Sequence, residues 1–255
     1  MRISIYLSAF NIIENKFIYW DESIVMASKF ADEVIIAVNK SNDNTLDAIK
    51  SIQLQNLKII ECDVSYEDPL LDGKLKNIAL QNCSGDILIQ LDLDEYIPLW
   101  QKPIWYAYAE HLLNDSVSCY MIASINLYGD WKSYRNITPK WYMHKRGLHR
   151  GPPTYARKPD GTIDTSKSDT CELIDCNGNL VFSRQTSINI KDLESNNTPF
   201  VVHFGYLDFD SRLERNKKFW HQHWRTESGG DAPLHKVHMD IDEFTEEIFK
   251  HNLKI

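Results

Sequence analysis

Long apolar runs are missing from this sequence: no uninterrupted stretch approaches the roughly 18 residues that a membrane-spanning helix needs. We therefore expect no transmembrane segment. The first seven residues already enter a strand pattern, which leaves no room for a signal peptide and favours a cytoplasmic protein. Cysteine is scarce, with five residues scattered along the chain. Such an odd set is typical of reduced thiols, and Cys171 and Cys176 lack the second pair that a zinc site would need.

Charge and composition exclude further classes. The 255 residues are 43% apolar and 25% charged, which is ordinary globular usage and excludes disordered and fibrous proteins. The net charge of -8 argues against a protein whose whole surface binds nucleic acid. The length suits one large α/β domain, and we find no internal repeat, low-complexity segment or clear linker.

The first hundred residues alternate between apolar runs and segments compatible with helix. Such alternation predicts a parallel sheet covered by helices on both faces. The strand runs are residues 3–7, 34–38, 57–61 and 87–91, and the helical segments are 19–30, 45–52 and 74–81. Later segments predict a helix over 104–113, strands over 118–128, 140–145 and 200–204, a hairpin around Asn177-Gly178, and helices over 208–224 and 242–251.

An acidic cluster directly follows the fourth strand run. Asp92, Asp94 and Glu95 stand within four residues, at the carboxyl end of a strand, where this type of sheet binds its ligands. Side chains two apart on a strand end point the same way, so Asp92 and Asp94 can converge on one hard cation such as Mg²⁺ or Mn²⁺. The alternative is a solvated acidic turn, because a lone D-x-D is common.

Three further loops carry polar residues in positions where a ligand could bind. Residues 39–45 follow the second strand and present short Asn and Asp side chains that could hydrogen-bond a base or ribose, or simply form a turn. Residues 73–77 open the third helix, and their lysines, Lys74 and Lys76, could meet phosphate, although a solvated helix start explains them at least as well. His203 ends a late apolar strand and is followed by Gly205, which makes it a candidate metal ligand or a structural histidine.

Taken in this order, these residues resemble family-2 glycosyltransferases of the GT-A fold. The matching parts are residues 8–11, residues 39–45, the Lys74 helix, residues 85–95 and residues 201–206. The resemblance implies a mixed, mainly parallel α/β sheet flanked by helices, with a helical C-terminal tail. It also implies a metal-dependent enzyme that moves a sugar from a nucleoside diphosphate, for which we expect UDP, to a hydroxyl acceptor with inversion.

The resemblance also implies roles for individual residues. Asp92, Asp94 and His203 would hold Mn²⁺ or Mg²⁺, with Asp92 also facing the ribose. The nucleotide sugar would be held by Ser8, Ala9, Phe10, Asn11, Asn39, Asp43, Lys74, Asp92 and Arg146. Residues 1–100 would form the nucleotide-sugar-binding half, 101–205 the acceptor-side half of the same domain, and 206–255 a helical extension.

The sequence departs from the family at two points. Many members carry paired acids after the second strand, whereas this chain has Asn39-Lys40, which leaves the nucleotide base open. Inverting members also need a carboxylate general base, which no motif here identifies. Asp130 and Asp208 are weak candidates for that base, and ordinary surface acids are the alternative.

A basic, aromatic segment covers residues 131–158. Its eight Lys and Arg residues and absence of acids leave -16 on the remaining 227 residues, since -8 minus 8 is -16. Such a segment could attract the donor diphosphate or an anionic acceptor, or it could be a solvated strand with core aromatics. Residues 146–153 read as a flexible loop. The histidines at 221, 223, 235 and 238 lack zinc-site spacing and read as surface residues.

Other functions remain open at this point. A nucleotidyltransferase also uses paired carboxylates and a metal, but its glycine-rich loop after strand one is absent from residues 8–11. A nucleic-acid or glycan-binding module with a non-catalytic metal site would use the basic segment instead. The acceptor could be a glycan, a lipid-linked molecule or a modified nucleic acid, and the oligomeric state is unknown.

Overall fold

The computed structural model describes residues 1–68, 70–152, 154–162, 172–195, 197–208 and 235–236. Strands and helices alternate through the first half, as the apolar pattern predicts. They are β1 (Ile3–Ala9), α1 (Trp20–Phe30), β2 (Glu33–Asn39), α2 (Thr45–Ser51), β3 (Leu57–Cys62), α3 (Leu71–Gln81), β4 (Ile87–Gln90) and β5 (Glu95–Tyr96).

The second half is richer in strands. A short 3₁₀ turn (Leu99–Gln101) precedes α4 (Lys102–Asn114). Then come β6 (Cys119–Tyr128), β7 (Asp130–Lys145), β8 (His149–Arg150), a second 3₁₀ turn (Thr154–Ala156), β9 (Leu173–Ile174), β10 (Ser183–Gln185), α5 (Ile190–Glu194), β11 (Phe200–His203) and β12 (His235–Lys236).

Most of these strands join one mixed sheet. Within the described residues its order is β3-β2-β1-β4-β7-β6-β11-β5, with β10 added beside β6 and β12 beside β7. The pairs β1–β2, β2–β3, β1–β4 and β6–β11 are parallel, whereas β7 runs antiparallel to both of its neighbours in this order. The predicted mixed, mainly parallel sheet with flanking helices is therefore confirmed.

Side chains of β1 explain why both faces of the sheet are covered. Ile3, Ile5 and Leu7 join the apolar cluster that includes α1 and α4 residues, while Tyr6 points to the opposite cluster formed with α3. Both faces of β1 are thus buried, and the strand must read as a continuous apolar run. The polar residues that could bind a ligand therefore lie in the loops at the carboxyl ends of the parallel strands.

Several predicted boundaries differ from the structure. The strand predicted over 140–145 extends back to Asp130, because polar residues of β7 pair with β6 along its whole length. The predicted hairpin turn at Asn177-Gly178 is present, with Gly178 at φ 81°, and its two arms are joined by an antiparallel bridge between Ile174 and Leu180. The helices predicted over 208–224 and 242–251 lie outside the described residues, apart from Asp208.

Among the helices that the structure describes, none is both long and apolar enough to cross a bilayer.

Candidate functional site

The loops after β1 and β2 are tied together at the carboxyl edge of the sheet. Asn11, which has a left-handed φ of 47°, accepts from the Asn42 backbone N–H through Oδ1 at 3.2 Å. The Asp43 carboxylate accepts from the Glu14 and Thr45 backbone N–H groups at 2.8 and 3.0 Å. Burial alone would raise the Asp43 pKa, but these backbone donors lower it below its ordinary value. Asp43 therefore builds the loop that surrounds the site.

Asn39 has a similar architectural role at the end of β2. Its side-chain amide donates to the Val64 carbonyl at 2.9 Å and accepts from the Val64 N–H at 2.8 Å. Nearby, the Phe10 ring lies 6.4 Å from the Tyr66 ring, and the Tyr66 hydroxyl donates to Asn11 Oδ1 at 3.1 Å. Sequence reasoning missed Tyr66, because nothing local in residues 63–68 distinguishes it from an ordinary loop tyrosine.

A chain of polar contacts links the end of β1 to the acidic cluster. Ser8 Oγ donates to Asp72 Oδ1 at 2.9 Å, and the other Asp72 oxygen lies 2.8 Å from Lys76 Nζ. Lys76 Nζ also lies 2.9 Å from Asp92 Oδ1. Lys74, by contrast, is half-exposed and pairs with Asp68. Of the two lysines that open α3, Lys76 is therefore the one in contact with Asp92 of the acidic cluster.

Asp92 lies between two lysines. Lys76 contacts one carboxylate oxygen, and Lys140 Nζ of β7 lies 3.4 Å from the other. Burial alone would raise the Asp92 pKa, but the charges of Lys76 and Lys140 hold it well below its usual range. Asp92 is therefore a carboxylate throughout the physiological pH range.

Glu95 holds the acidic loop from within. Its side chain is fully buried and accepts from the Asp92 backbone N–H at 2.9 Å. Its other oxygen accepts from Lys140 Nζ at 2.5 Å and from the Tyr142 hydroxyl at 2.6 Å. Burial alone would lower the Lys140 pKa, but the Glu95 and Asp92 charges raise it well above its usual value. Glu95 therefore fixes the loop geometry and keeps Lys140 charged.

Asp94 and His203 meet at the same edge. β5 pairs antiparallel with β11, which aligns Glu95 with His203, and the Phe204 N–H donates to the Asp94 carbonyl at 2.9 Å. This backbone register brings Asp94 Oδ2 to 3.3 Å from His203 Nε2, with both side chains less than a tenth exposed. The two residues that sequence reasoning paired across more than a hundred positions are therefore in contact.

The donor set of this pair suits a divalent cation. Two ligands at right angles on an octahedral ion with bonds of about 2.1 Å lie about 3.0 Å apart, close to the observed separation. Carboxylate and imidazole together suit Mn²⁺ better than Mg²⁺. Within the described part of the chain, no group of three or more His, Cys, Asp or Glu residues is arranged to hold a metal. A cation at this pair would need further ligands from a bound phosphate or water.

The two acids predicted as candidates for the general base, Asp130 and Asp208, lie near the His203 end of the sheet. Asp130 begins β7 after a tight turn whose Gly129 N–H donates to the Tyr206 carbonyl, so it lies at the same end of the sheet as His203. Asp208 follows two residues after Tyr206, at that same end. Both are described acids with contacts of their own.

Arg146 lies elsewhere. It follows Lys145, which pairs with Ile87 at the start of β4, and its Nε donates to the Gly85 carbonyl at 3.1 Å. That is the opposite end of β4 from Asp92, so the structure does not bring Arg146 together with the acidic cluster. The reason is that β7 runs antiparallel to β4 and carries its own carboxyl end away from the acidic cluster.

The basic segment is mainly a strand inside the sheet. Tyr134, Tyr142 and His144 of β7 are buried, while Arg135 lies over the Tyr128 ring at 5.2 Å. Lys140 contacts Asp92 of the acidic cluster, whereas Lys145 pairs with Ile87 at the opposite end of β4. Four of the eight Lys and Arg residues of this segment therefore lie on β7 and one, Arg150, lies on β8.

Comparisons with protein-family models and with curated proteins find no match. Solved structures do match. TarS of S. aureus in complex with UDP-GlcNAc is 15% identical over 77% of this chain and 64% of that chain, with a TM-score of 0.42. A Pyrobaculum calidifontis mannosyltransferase in complex with GDP-Man and Mn²⁺ is 18% identical over 50% and 35%, with a TM-score of 0.35.

A third match is glucosyl-3-phosphoglycerate synthase of Mycobacterium tuberculosis in complex with Mn²⁺ and UDP-Glc. It is 22% identical over 48% of this chain and 43% of that chain, with a TM-score of 0.33. This chain spans less than two thirds of the length of each of the three proteins. All three TM-scores lie below 0.5, so any functional assignment has to rest on the geometry of the site itself.

Proposed function

We propose that the chain is a metal-dependent GT-A glycosyltransferase that transfers a sugar from a nucleoside diphosphate, UDP first among them, to a hydroxyl acceptor with inversion. The observation that carries this proposal is the 3.3 Å contact between Asp94 Oδ2 and His203 Nε2, beside Asp92, at the carboxyl edge of a parallel sheet. Ligands of open α/β sheets bind at that edge.

In this proposal, Asp94 and His203 hold Mn²⁺ or Mg²⁺, and the donor diphosphate completes its coordination. A divalent cation at this position would act as a Lewis acid and neutralise the charge that develops on the leaving diphosphate. Asp92 faces the ribose and is kept ionised by Lys76 and Lys140. Both lysines add positive charge next to Asp92.

The nucleoside would bind between the joined loops after β1 and β2. Phe10 and Tyr66 offer aromatic faces for a base, and Asn11 accepts a hydrogen bond from Tyr66. Ser8 is linked to Asp92 through Asp72 and Lys76. Asn39 has both of its amide groups occupied by Val64, so we expect it to shape this pocket through the backbone. Residues 1–100 thus form the proposed donor half.

The acceptor would approach from residues 101–205. Asp130 and Asp208 are the acids we propose for the general base, because each lies within a few residues of the backbone contact between Gly129 and Tyr206 at the His203 end of the sheet. An inverting transfer needs a carboxylate there to take the acceptor proton as the oxygen attacks the anomeric carbon.

The test is thermal stabilisation of the protein by UDP, GDP, CDP and dTDP, each with and without Mn²⁺. A ligand at a hundredfold excess over its Kd should stabilise the fold by about 2.7 kcal/mol, which corresponds to a melting shift of roughly 5–10 °C. We expect one nucleotide to give this shift in the wild type with Mn²⁺ and to lose it in Asp94→Asn. The exposed Asp47→Asn on α2 is the matched control and should behave as wild type.

Two results would direct the assignment elsewhere. If no nucleotide stabilises the protein under any condition, the donor site does not exist. If a nucleotide binds but no sugar is released or transferred from its sugar conjugates, the result favours a binding module over a transferase. The salt dependence of nucleic-acid binding is then the next measurement. The absence of a glycine-rich loop after β1 argues against the nucleotidyltransferase alternative.

A further inference from the structure

Asn126 is a buried polar residue of β6 that contacts the candidate metal ligand His203. The two residues are direct neighbours in the parallel β6–β11 register. Asn126 Oδ1 lies 2.6 Å from His203 Nδ1, and the Asn126 side chain is almost fully buried. Sequence reasoning did not single out Asn126, because an asparagine in a long strand has no local signature of such a contact.

The orientation of the Asn126 amide follows from its other partners. Its Nδ2 group lies 3.4 and 3.2 Å from the backbone carbonyls of Ser124 and Asn136 and 3.2 Å from Thr138 Oγ1. Backbone carbonyls can only accept hydrogen bonds, so the NH₂ group must face them. The Oδ1 atom must then face His203, and it can only accept there.

The protonation pattern of the His203 ring is thereby determined. Since Oδ1 only accepts, His203 Nδ1 must carry the hydrogen, and in the neutral ring Nε2 carries the lone pair. That lone pair faces Asp94 Oδ2, which is also an acceptor, at 3.3 Å. Two acceptors at this distance repel each other unless a positive charge lies between them. The arrangement thus suits a bound cation when the ring is neutral.

We propose that Asn126 is the positioning residue of His203. Asn126 Oδ1 accepts the hydrogen bond from His203 Nδ1–H, and this bond presents the unprotonated Nε2 of His203 to a divalent cation shared with Asp94. The identity of the cation rests on the proposed function above, whereas the hydrogen bond to His203 does not. A second hydrogen bond of this kind typically orients a metal-binding histidine and raises its basicity.

Three variants separate positioning from packing. Asn126→Ala removes both the acceptor and the NH₂ donor. Asn126→Asp keeps an acceptor for His203 but loses the NH₂ donor to β7. Thr138→Val removes one partner of the NH₂ group and leaves the His203 contact intact. A merely structural role would make Asn126→Asp and Thr138→Val resemble Asn126→Ala, whereas a positioning role would make both resemble the wild type.

The first readout is the tautomer of His203 in the metal-free protein, from ¹⁵N imidazole NMR at alkaline pH. The His203 signal among the nine histidines is identified by its loss in His203→Gln. We expect the Nδ1–H tautomer in the wild type, Asn126→Asp and Thr138→Val. We expect loss of that tautomeric preference in Asn126→Ala.

The second readout is Mn²⁺ affinity in the presence of UDP, measured by electron paramagnetic resonance. Loss of a hydrogen-bond partner of a metal-binding histidine typically weakens metal binding by about 10- to 100-fold, and we expect that loss in Asn126→Ala alone. An Nε2–H tautomer in the wild type, or an unchanged Nδ1–H tautomer in Asn126→Ala, would overturn the proposal. If the wild type binds Mn²⁺, an equal Mn²⁺ affinity of Asn126→Ala would overturn the proposal as well.

Two further outcomes remain interpretable. If Asn126→Ala fails to fold, the wild type and Asn126→Asp still decide the question, because a positioning role requires the Nδ1–H tautomer in both. If the expected tautomers are found but the wild type binds no Mn²⁺ with any nucleotide, the proposed function fails and the positioning of His203 by Asn126 stands.

Discussion

Replacing Glu95 by glutamine should destabilise the fold by about 2–3 kcal/mol, although the two side chains have nearly the same shape. Glu95 is fully buried and accepts hydrogen bonds from Lys140, Tyr142 and the Asp92 backbone. In either orientation, the glutamine NH₂ group would face one of these donors. Removing one partner of a fully buried ion pair costs about 3–5 kcal/mol, and the partial exposure of Lys140 reduces the expected loss.

The assay is urea unfolding followed by tryptophan fluorescence, with Glu61→Gln as the matched control. Glu61 forms an ion pair with Lys50 at 2.6 Å, nearly the same distance as the Glu95–Lys140 contact, but both side chains are about half-exposed. We expect this control to change the unfolding free energy by less than about 1 kcal/mol. If Glu95→Gln is no more destabilising than Glu61→Gln, the central role assigned to Glu95 is wrong.

Three further predictions concern α3, the β1–β4 contact and pH. Lys76→Ala should weaken nucleotide binding at least about tenfold by calorimetry, while the exposed Lys74→Ala should not, and equal effects would exclude Lys76 from the site. Gly85→Ala should lower the melting temperature, because the new Cβ would lie 2.7 Å from the Ser4 backbone nitrogen of β1. Gly151→Ala should be tolerated, and a larger loss of melting temperature in Gly151→Ala than in Gly85→Ala would contradict this packing. Burial lowers the pKa of His144 to about 3, so the unfolded chain takes up a proton at this residue before the folded protein does. The free energy of unfolding should therefore fall as the pH drops from about 6.5 towards 3. Urea titrations at several pH values should show that His144→Gln flattens this fall by up to about 1.4 kcal/mol per pH unit.

The parts of the fold with a strong local signal could be predicted from the sequence. Strand β1 is buried on both faces and is therefore apolar along its length. Apolar runs of this kind, alternating with segments of helical pattern, can be recognised in the sequence. The pairing of Asp94 with His203 was accessible only through the family resemblance, because its physical cause is the β5–β11 register between residues far apart in sequence.

Other parts of the site depend on directions that the sequence does not carry. Lys74 and Lys76 have the same local context, and only the packing of α3 against the sheet turns Lys76 towards Asp92. The position of Arg146 has a similar origin, since the antiparallel direction of β7 places it at the end of β4 opposite the acidic cluster. Asn126 acts through a neighbouring strand, so no spacing along the chain could have revealed it.

The most direct test of the central claim is a double-mutant cycle on UDP binding, measured by calorimetry with and without Mn²⁺. If Asp94 and His203 hold one cation together, Asp94→Asn and His203→Gln should each lower the Mn²⁺-dependent affinity at least about tenfold, and the double variant should lose no more than either single one. Without Mn²⁺, all four proteins should bind UDP equally weakly. Additive losses, or wild-type affinity that is unchanged when Mn²⁺ is removed, would contradict a shared cation at this pair.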